Sequence, residues 1–286
     1  MERFGSGPEV PAVLGDLSAA RSLVDEFAID QVLIALDRDD PSDAMKAFDD
    51  LSDTTAAVRV VLDLAGLPTM RAGLEDLDGL PTLRLVESPL IGWNLVAKRA
   101  IDLALSASLL VVLAPLFGVI AAAVKLTRPG GPVLYRQERM GINGLVYTIW
   151  KFRTMVPDAE ADTGPRWTEP QDARVTPLGV LLRRTNLDEL PQLWNVLRGE
   201  MSLVGPRPER PELIAEFRRR LPGYMRRHTV KAGLTGLAQV NGWRGNTSLE
   251  RRLDCDIEYI REWSLALDFK ILALTLWRSF RDPNAY

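Results

Sequence analysis

An α/β unit followed by a mainly helical α+β domain with one membrane-length apolar segment is the fold class that this 286-residue sequence predicts. Three observations predict it. Helix-like and strand-like runs alternate within residues 1–90, an uncharged run extends from Leu103 to Val124, and glycine-bearing, arginine-rich stretches fill residues 129–286. Charge divides along the same line. Residues 1–90 hold 18 acidic and 7 basic side chains, whereas the remainder is net positive although the whole chain carries −3. A basic half implies an anionic partner: phosphate, nucleic acid or a lipid surface. The 47% apolar content supports a real core, and the single cysteine, Cys255, makes no internal disulfide, which suits a reducing compartment. Met1 to Asp16 has no apolar h-region, so no cleavable signal peptide is expected.

Within residues 1–90, Asp16 to Ile29 has helical periodicity through Leu17, Ala20, Leu23, Val24 and Phe27. Gln31 to Leu36 reads as a short buried strand, Pro41 to about Leu51 as a second helix, and Val58 to Leu64 as another strand. Such alternation predicts a parallel sheet. Gly5-Ser6-Gly7 is too little for a dinucleotide fingerprint, because no strand precedes it and the third glycine is missing. A docking or regulatory domain is the expectation here.

Residues 98–128 form the membrane segment. The 22 residues from Leu103 to Val124 reach about 33 Å as a helix, enough for a bilayer core. Lys98 and Arg99 flank one end, Lys125 and Arg128 the other, so the positive-inside rule prefers neither end outside. Pro115 lies mid-run, where it removes a backbone donor and kinks the helix. Ser106 and Ser108 are positioned to satisfy freed backbone groups. A re-entrant helix–break–helix with both ends cytoplasmic fits these features, with a single span or a buried core helix as the alternatives.

The chemistry falls in residues 129–286. Pro129-Gly130-Gly131-Pro132 reads as a turn, and two β-like runs, Val133 to Arg139 and Leu145 to Met155, predict a hairpin carrying Arg136, Arg139, Lys151 and Arg153. Those cations suit a diphosphate, which arginine grips bidentately, or lipid headgroups. The stretch Thr185 to Leu197 is the centre. Leu187, Leu190, Leu193, Trp194 and Leu197 mark one buried helical face, and Pro191 is tolerated only in a first turn, so an α-helix should begin near Asp188. Asp188 and Glu189 then sit at a helix N-terminus, which keeps a carboxylate ionised for nucleophilic attack or metal binding. An ordinary N-cap is the competing reading. Two glycine-rich loops follow: Met201 to Pro208 with Arg207, and Gly233 to Gly245 with Gln239, Asn241 and Arg244. Such loops bring backbone N–H groups close to anions, or serve as plain turns. His228, the sole histidine, has no visible general-base partner and reads as structural, as Cys255 reads as buried. No zinc-ligand spacing occurs. Leu178–Leu187, Leu213–Leu221 and Leu267–Phe280 pair apolar residues with arginines, as core helices or as helices lying in a headgroup plane.

Lys98-Arg99-Ala-Ile-Asp102, Lys151-Phe-Arg-Thr-Met155, Asp188-Glu-Leu-Pro-Gln-Leu-Trp-Asn195, Met201-Ser-Leu-Val-Gly-Pro-Arg-Pro208 and the Gly233–Gly245 loop together resemble the bacterial sugar transferases, monotopic phosphoglycosyl transferases acting on undecaprenyl phosphate. The resemblance runs in order from about Lys98 to Phe280. It implies a catalytic domain with a re-entrant membrane helix, an Asp-Glu dyad and a Mg²⁺ requirement, placed at the cytoplasmic face of the bacterial inner membrane. The break in that family's helix is often Ser-Pro, whereas Ala114 precedes Pro115 here. Residues 1–90 resemble part of the Rossmann-like domain of larger members. That match does not include the domain's glycine-rich first strand or the transmembrane helices preceding it.

The mechanism implied is a two-step transfer: Asp188 attacks the sugar-linked phosphate of a UDP-sugar, UMP leaves, and undecaprenyl phosphate takes the phosphosugar from the aspartyl intermediate. Covalent catalysis divides one difficult transfer into two easier ones. Glu189 is assigned to metal coordination or acceptor positioning, with Asp188 as a second metal ligand. Arg136, Lys151, Arg153, Arg207, Gln239, Asn241 and Arg244 are assigned to substrate and phosphate. The loop ending Asn241-Gly-Trp-Arg-Gly245 looks most like the branch transferring glucose 1-phosphate; galactose or an N-acetylated sugar is the alternative donor. A direct single-step transferase and an inactive membrane scaffold are the remaining alternatives. The lipid bilayer is an expected partner, a homo-oligomer is left open, and nucleic acid is not expected.

Overall fold

The computed structural model describes residues 13–35, 42–61, 74–77, 80–84, 89–157, 159, 172–245 and 247–278. The chain divides into two compact units at residues 87 and 88. The first unit holds α1 (Ala20–Phe27), β1 (Gln31–Ala35), α2 (Ser42–Leu51), β2 (Ala57–Val61), β3 (Leu74–Leu77) and β4 (Leu80–Arg84). Asp16 caps a 3-10 turn ahead of α1 by accepting the Ala19 N–H. β1 and β2 are parallel, with Gln31 opposite Ala57 and Ala35 opposite Val61. β4 then pairs antiparallel with both β2 and β3, so the sheet is mixed, in the order β1-β2-β4-β3. The β3–β4 hairpin was not readable from the sequence, where Leu74–Leu77 alternates too briefly to stand out. Val24, Ile34, Leu51, Ala56 and Val58 form this unit's core. Gly5-Ser6-Gly7 and residues 62–64 of the expected second strand lie outside the described residues.

The second unit opens with α3 (Gly92–Val112) and α4 (Ala114–Thr127), bent by 59° at Leu113. Pro115 is the second residue of α4, where a missing N–H breaks no helical bond. Among the described residues no single helix is long and apolar enough to cross a membrane; this bent pair has the length and composition only jointly. Val111, Val112, Val119 and Leu126 stand largely exposed around the bend. Ser106 donates to Leu103 O, seven residues ahead of the break, so it is the Leu113 N–H, not a serine, that closes the end of α3 onto Leu109 O.

The cations before the apolar run are not free flanking charges. Lys98 is buried, its Nζ 2.6 Å from Asp268 Oδ2, and Asp268 also accepts the Tyr259 hydroxyl and the Trp263 indole N–H. Arg99 donates to Val196 O and Leu197 O at 2.7 and 2.8 Å, and Asp102 accepts the Leu203 N–H. These three residues dock α3 onto the elements that carry the site.

Those elements are the hairpin β5 (Leu134–Met140) and β6 (Val146–Phe152), α5 (Pro177–Arg184), a 3-10 turn at Leu187–Gln192, α6 (Leu193–Arg198), the short parallel pair β7 (Ser202–Val204) and β8 (Gly233–Thr235), α7 (Pro211–Arg220), a 3-10 turn at Tyr224–Thr229, α8 (Leu237–Val240), α9 (Leu249–Arg261) and α10 (Leu265–Arg278). Ile149, Leu193, Val196, Met201, Leu203, Val204, Tyr259, Trp263 and Ile271 pack as the main core. α4 packs on β6 and α5 through Ile120, Val124, Phe152 and Leu182. α7 buries Ile214 and Phe217 against Tyr224 and Met225 and turns Arg219 and Arg220 outward, an ordinary amphipathic helix. α5 and α10 instead leave Val180, Leu181, Leu276 and Trp277 exposed.

Candidate active site

The site is assembled where β6 meets the 3-10 turn that bears Asp188 and Glu189. Asn195, fully buried in α6, makes the join: its Nδ2 donates to Thr148 O at 2.7 Å and its Oδ1 accepts the Trp150 N–H at 3.3 Å. A side-chain amide thus continues the strand ladder and fixes α6 against β6. From the other side, α5 lies against the end of β6 because Gly179 has no side chain; a Cβ there would sit 2.0 Å from Thr154 O.

The sequence predicted an α-helix from Asp188. The chain instead makes a 3-10 turn over Leu187–Gln192, and α6 begins only at Leu193. Pro191 has no N–H to bond back to Leu187, so α-helical pairing starts after it. The change of period also turns Trp194 outward, about half exposed, while Leu193 is buried. Asn186 enters the turn in the left-handed region at φ 56°, and Arg244 Nη1 holds its Oδ1 at 2.9 Å.

Within the turn the two carboxylates have different fates. Glu189 Oε1 accepts Lys151 Nζ at 2.8 Å and Arg207 Nη2 at 2.7 Å, and Oε2 accepts Arg207 Nη1 at 3.2 Å. Burial alone would raise the Glu189 carboxyl, but Arg207 and Lys151 hold it well below the usual range. Asp188 is buried, and among the described residues no hydrogen bond or ion pair reaches its carboxylate. Burial pushes it up to about 6, the Glu189 charge adds to the rise, and Lys151, Arg183 and Arg207 oppose it. The expected helix-terminus effect is therefore outweighed by desolvation, and Asp188 is mostly ionised at neutral pH rather than strongly acidic.

The remaining predicted residues separate. Arg207 and Lys151 join the dyad. Arg153 is buried and donates to Gly130 O and Arg128 O, fastening the turn after α4. Arg136 stacks on Trp150, its Cζ 4.3 Å from the ring centroid. Arg244 reaches the dyad's turn through Asn186. Gln239 donates to Leu234 O within its own loop, and Asn241 Nδ2 lies 3.9 Å from Cys255 Sγ of α9, so neither is directed at the dyad. His228 accompanies neither carboxylate: its Nδ1 faces Gly141 O at 3.1 Å. Arg183 was missed. It sits in the doublet ending α5, bonds Thr154 Oγ1 at 2.8 Å and bears electrostatically on Asp188; only its place five residues before the dyad hinted at it.

Among the described residues no three acidic, histidine or cysteine side chains converge to cage a metal. Mg²⁺ is ordinarily held by one or two carboxylates together with substrate phosphates. Asp188, with no competing ion pair, and Glu189 Oε2, which accepts a single donor, match that donor set.

A buried carboxylate left open beside a second one neutralised by lysine and arginine, in the unit that opens with a bent apolar helix pair, can serve chemically as an anionic nucleophile or a metal ligand. The chain belongs to the bacterial sugar transferase family, whose model matches residues 93–282. It is 43% identical over 262 residues to the UDP-glucose:undecaprenyl-phosphate glucose-1-phosphate transferase of Escherichia coli (strain K12), covering 90% of this chain and 56% of that protein. It is 42% identical over 289 residues to the protein of the same name from Klebsiella pneumoniae, covering 100% of this chain and 62% of the relative. A third relative, an undecaprenyl-phosphate glucose phosphotransferase of Komagataeibacter xylinus, is 46% identical over 71% of this chain and 39% of its own length. The chain thus spans about half of the length of these curated relatives.

Proposed function

We propose that this chain transfers glucose 1-phosphate from UDP-glucose to undecaprenyl phosphate, releasing UMP, as the first membrane step of a glycan assembly such as an exopolysaccharide. The observation that carries the reading is the contrast within the dyad: Asp188 has an open, buried carboxylate while Glu189 is locked between Lys151 and Arg207. In the first step an Asp188 oxygen attacks the sugar-linked phosphorus. The bond from that phosphorus to the bridging oxygen breaks, and UMP leaves with the bridging oxygen. In the second step an oxygen of undecaprenyl phosphate attacks the same phosphorus, the aspartyl–phosphorus bond breaks, and the Asp188 carboxylate is restored. Desolvation removes the hydration shell of the nucleophile, and Lys151, Arg207 and Arg183 supply positive charge where the phosphoryl oxygens gain negative charge. Asp188 and Glu189 Oε2, with the donor's diphosphate, would hold a Mg²⁺, which supplies further charge neutralisation there. Glucose as the sugar is supported by the names of the relatives at 42–46% identity.

The same reading makes α3–α4 a re-entrant membrane hairpin at the cytoplasmic face of the inner membrane. Its support is the 59° bend at Leu113 and the exposed valines and leucines around it. The exposed apolar residues of α5 and α10 extend that lipid-facing surface.

The test is UMP release from a panel of UDP-sugars with undecaprenyl phosphate and Mg²⁺, comparing wild type with Asp188→Asn. Release with UDP-glucose that the substitution abolishes, together with a phosphosugar adduct trapped on Asp188, is the expected result. An adduct on another residue, or near-normal turnover by Asp188→Asn, overturns the nucleophile assignment. Exchange of labelled UMP into UDP-glucose without lipid acceptor separates the two-step route from direct transfer.

A further inference from the structure

Behind the dyad lies a second cluster of buried charge that the reaction itself does not use. Arg207 belongs to the loop Gly205 to Glu209, which is pinned by backbone approach: Gly205 N–H donates to Thr235 O and Gly233 N–H to Pro206 O, both at 2.9 Å. A Cβ on Gly233 would sit 2.1 Å from Gly205 N. The loop's outer carbonyls are taken by two arginines. Arg227 Nη2 donates to Arg207 O at 2.8 Å, and Arg139 Nη1 to Pro208 O at 3.1 Å. Glu209 closes the cluster, its Oε1 2.5 Å from Arg252 Nη1 and its carboxylate 4.0 Å from both Arg139 and Arg227.

Arg227 is 1% exposed, and all three nitrogens of its guanidinium have partners on three different elements. Nε and Nη2 meet Asp256 Oδ2 of α9 at 2.9 and 2.7 Å, Nη1 meets the Tyr224 hydroxyl of its own turn at 2.6 Å, and Nη2 also reaches the Arg207 carbonyl. A continuous chain therefore runs Asp256–Arg227–Arg207–Glu189. Arg207 is held by its carbonyl at one end and grips Glu189 with its guanidinium at the other. A buried ion pair contributes little stability over apolar packing of the same volume, whereas its directional bonds fix one geometry.

We propose that Arg227, oriented by Asp256 and Tyr224, is a positioning residue that sets the backbone at Arg207 so that the Arg207 guanidinium meets Glu189 beside Asp188. The inference rests on the functional reading above for its kinetic readout. Arg227→Lys keeps the charge but loses the planar fork, so the loop loses its fixed register. Because small misplacements at a reacting centre cost up to about a hundredfold, kcat for UMP release should fall roughly 10- to 100-fold with the donor KM changed less than about threefold.

The discriminating experiment is a double-mutant cycle in UMP release. Arg207→Ala lowers kcat by itself, and adding Arg227→Lys should then lower it less than about threefold further, because the positioned group is gone. A purely structural role would cost the same factor in both backgrounds and overturn the proposal. Should Arg227→Lys fail to fold, Tyr224→Phe and Asp256→Asn run the same cycle, each with the same shortfall from additivity expected. Amide hydrogen exchange at Gly205, Arg207 and Glu209, faster in Arg227→Lys while α10 is unchanged, reads the positioning without turnover; unchanged exchange at these amides overturns it. Wild type that releases no UMP from any donor sinks the functional reading instead, and the exchange measurement still decides the positioning claim.

Discussion

Arg207 meets Glu189 with both terminal nitrogens, at 2.7 and 3.2 Å, while Lys151 closes on the same carboxylate at 2.8 Å. Two cations thus neutralise the second member of the dyad and leave the first with its charge exposed to low dielectric. Glu189→Gln keeps the shape but frees both cations to act on Asp188. It should lower kcat about 10²-fold, the usual effect of removing one preorganised electrostatic contact. The pH profile moves as well. Asp188 must be ionised to attack, and burial with the Glu189 charge sets it at about 6, so wild-type kcat/KM should fall with unit slope below about pH 6. Removing a negative neighbour favours the ionised form, so the residual activity of Glu189→Gln should hold to lower pH. An acid limb displaced upward in this variant contradicts the electrostatic assignment.

Lys98 anchors the start of α3 through its buried pair with Asp268. Lys98→Met removes one partner and leaves Asp268 buried with, among the described residues, only the Tyr259 and Trp263 donors. Breaking such a pair costs about 3–5 kcal/mol. Denaturant unfolding in detergent should show that loss, and Lys98→Met combined with Asp268→Asn should restore part of it. A cost under about 1 kcal/mol, typical of exposed pairs, would place the pair in solvent.

How far the sequence could be read follows from these residues. Periodicity located β1, α2, β2, the β5–β6 hairpin and the broken helix to within a few residues, because apolar spacing is local information. It put the dyad at the start of a helix but mistook the kind, since the effect of Pro191 on hydrogen-bond pattern depends on which carbonyl it would have faced. Basic residues were less legible. Arg153, Arg136 and Arg207 look alike in sequence, yet one holds a turn, one stacks on Trp150 and one grips Glu189. Their partners lie 14 to 25 residues away, and spacing carries no record of them. Arg227 and Asp256 are illegible in the sequence for the same reason: 29 residues separate them, and neither sits in a glycine-rich loop.

His228 makes a separate prediction about acid stability. Burial and the neighbouring Arg227 charge lower its imidazole to about 3, below the ordinary value of 6.5. The ring is therefore neutral in the fold, donating from Nδ1 to Gly141 O, with no partner at Nε2 among the described residues. Between those values the unfolded chain binds the extra proton. Stability from this group is complete above about pH 6.5 and is lost as pH falls toward 3, by up to about 1.4 kcal/mol per pH unit. Urea titrations at pH 7, 6, 5 and 4 should show this slope in wild type and a shallower one in His228→Gln. Equal slopes would mean that the histidine becomes protonated in the folded protein near its ordinary value.

Pro115 tests the membrane reading through backbone hydrogen bonding alone. Its ring supplies no N–H to the carbonyl four residues earlier, Val111, and the helix breaks at Leu113. Pro115→Leu restores that donor and removes the ring's clash with the preceding turn. A continuous helix from Gly92 to Thr127 would then extend about 54 Å at 1.5 Å per residue, more than the roughly 30 Å hydrocarbon core. Straightening also pulls Ile120 and Val124 off Phe152 and Leu182, so the re-entrant form and the packing of α4 are lost together. In a Cys255→Ser background, cysteines replacing Trp93 and Arg128 should both react with an impermeant thiol reagent from the cytoplasmic side of sealed vesicles. With Pro115→Leu added, one of the two should become reachable only from the opposite side, and UMP release should fall at least tenfold. Labelling of the two positions from opposite sides with Pro115 intact would show that the bent pair crosses the bilayer, and the proline would then be a kink in a span.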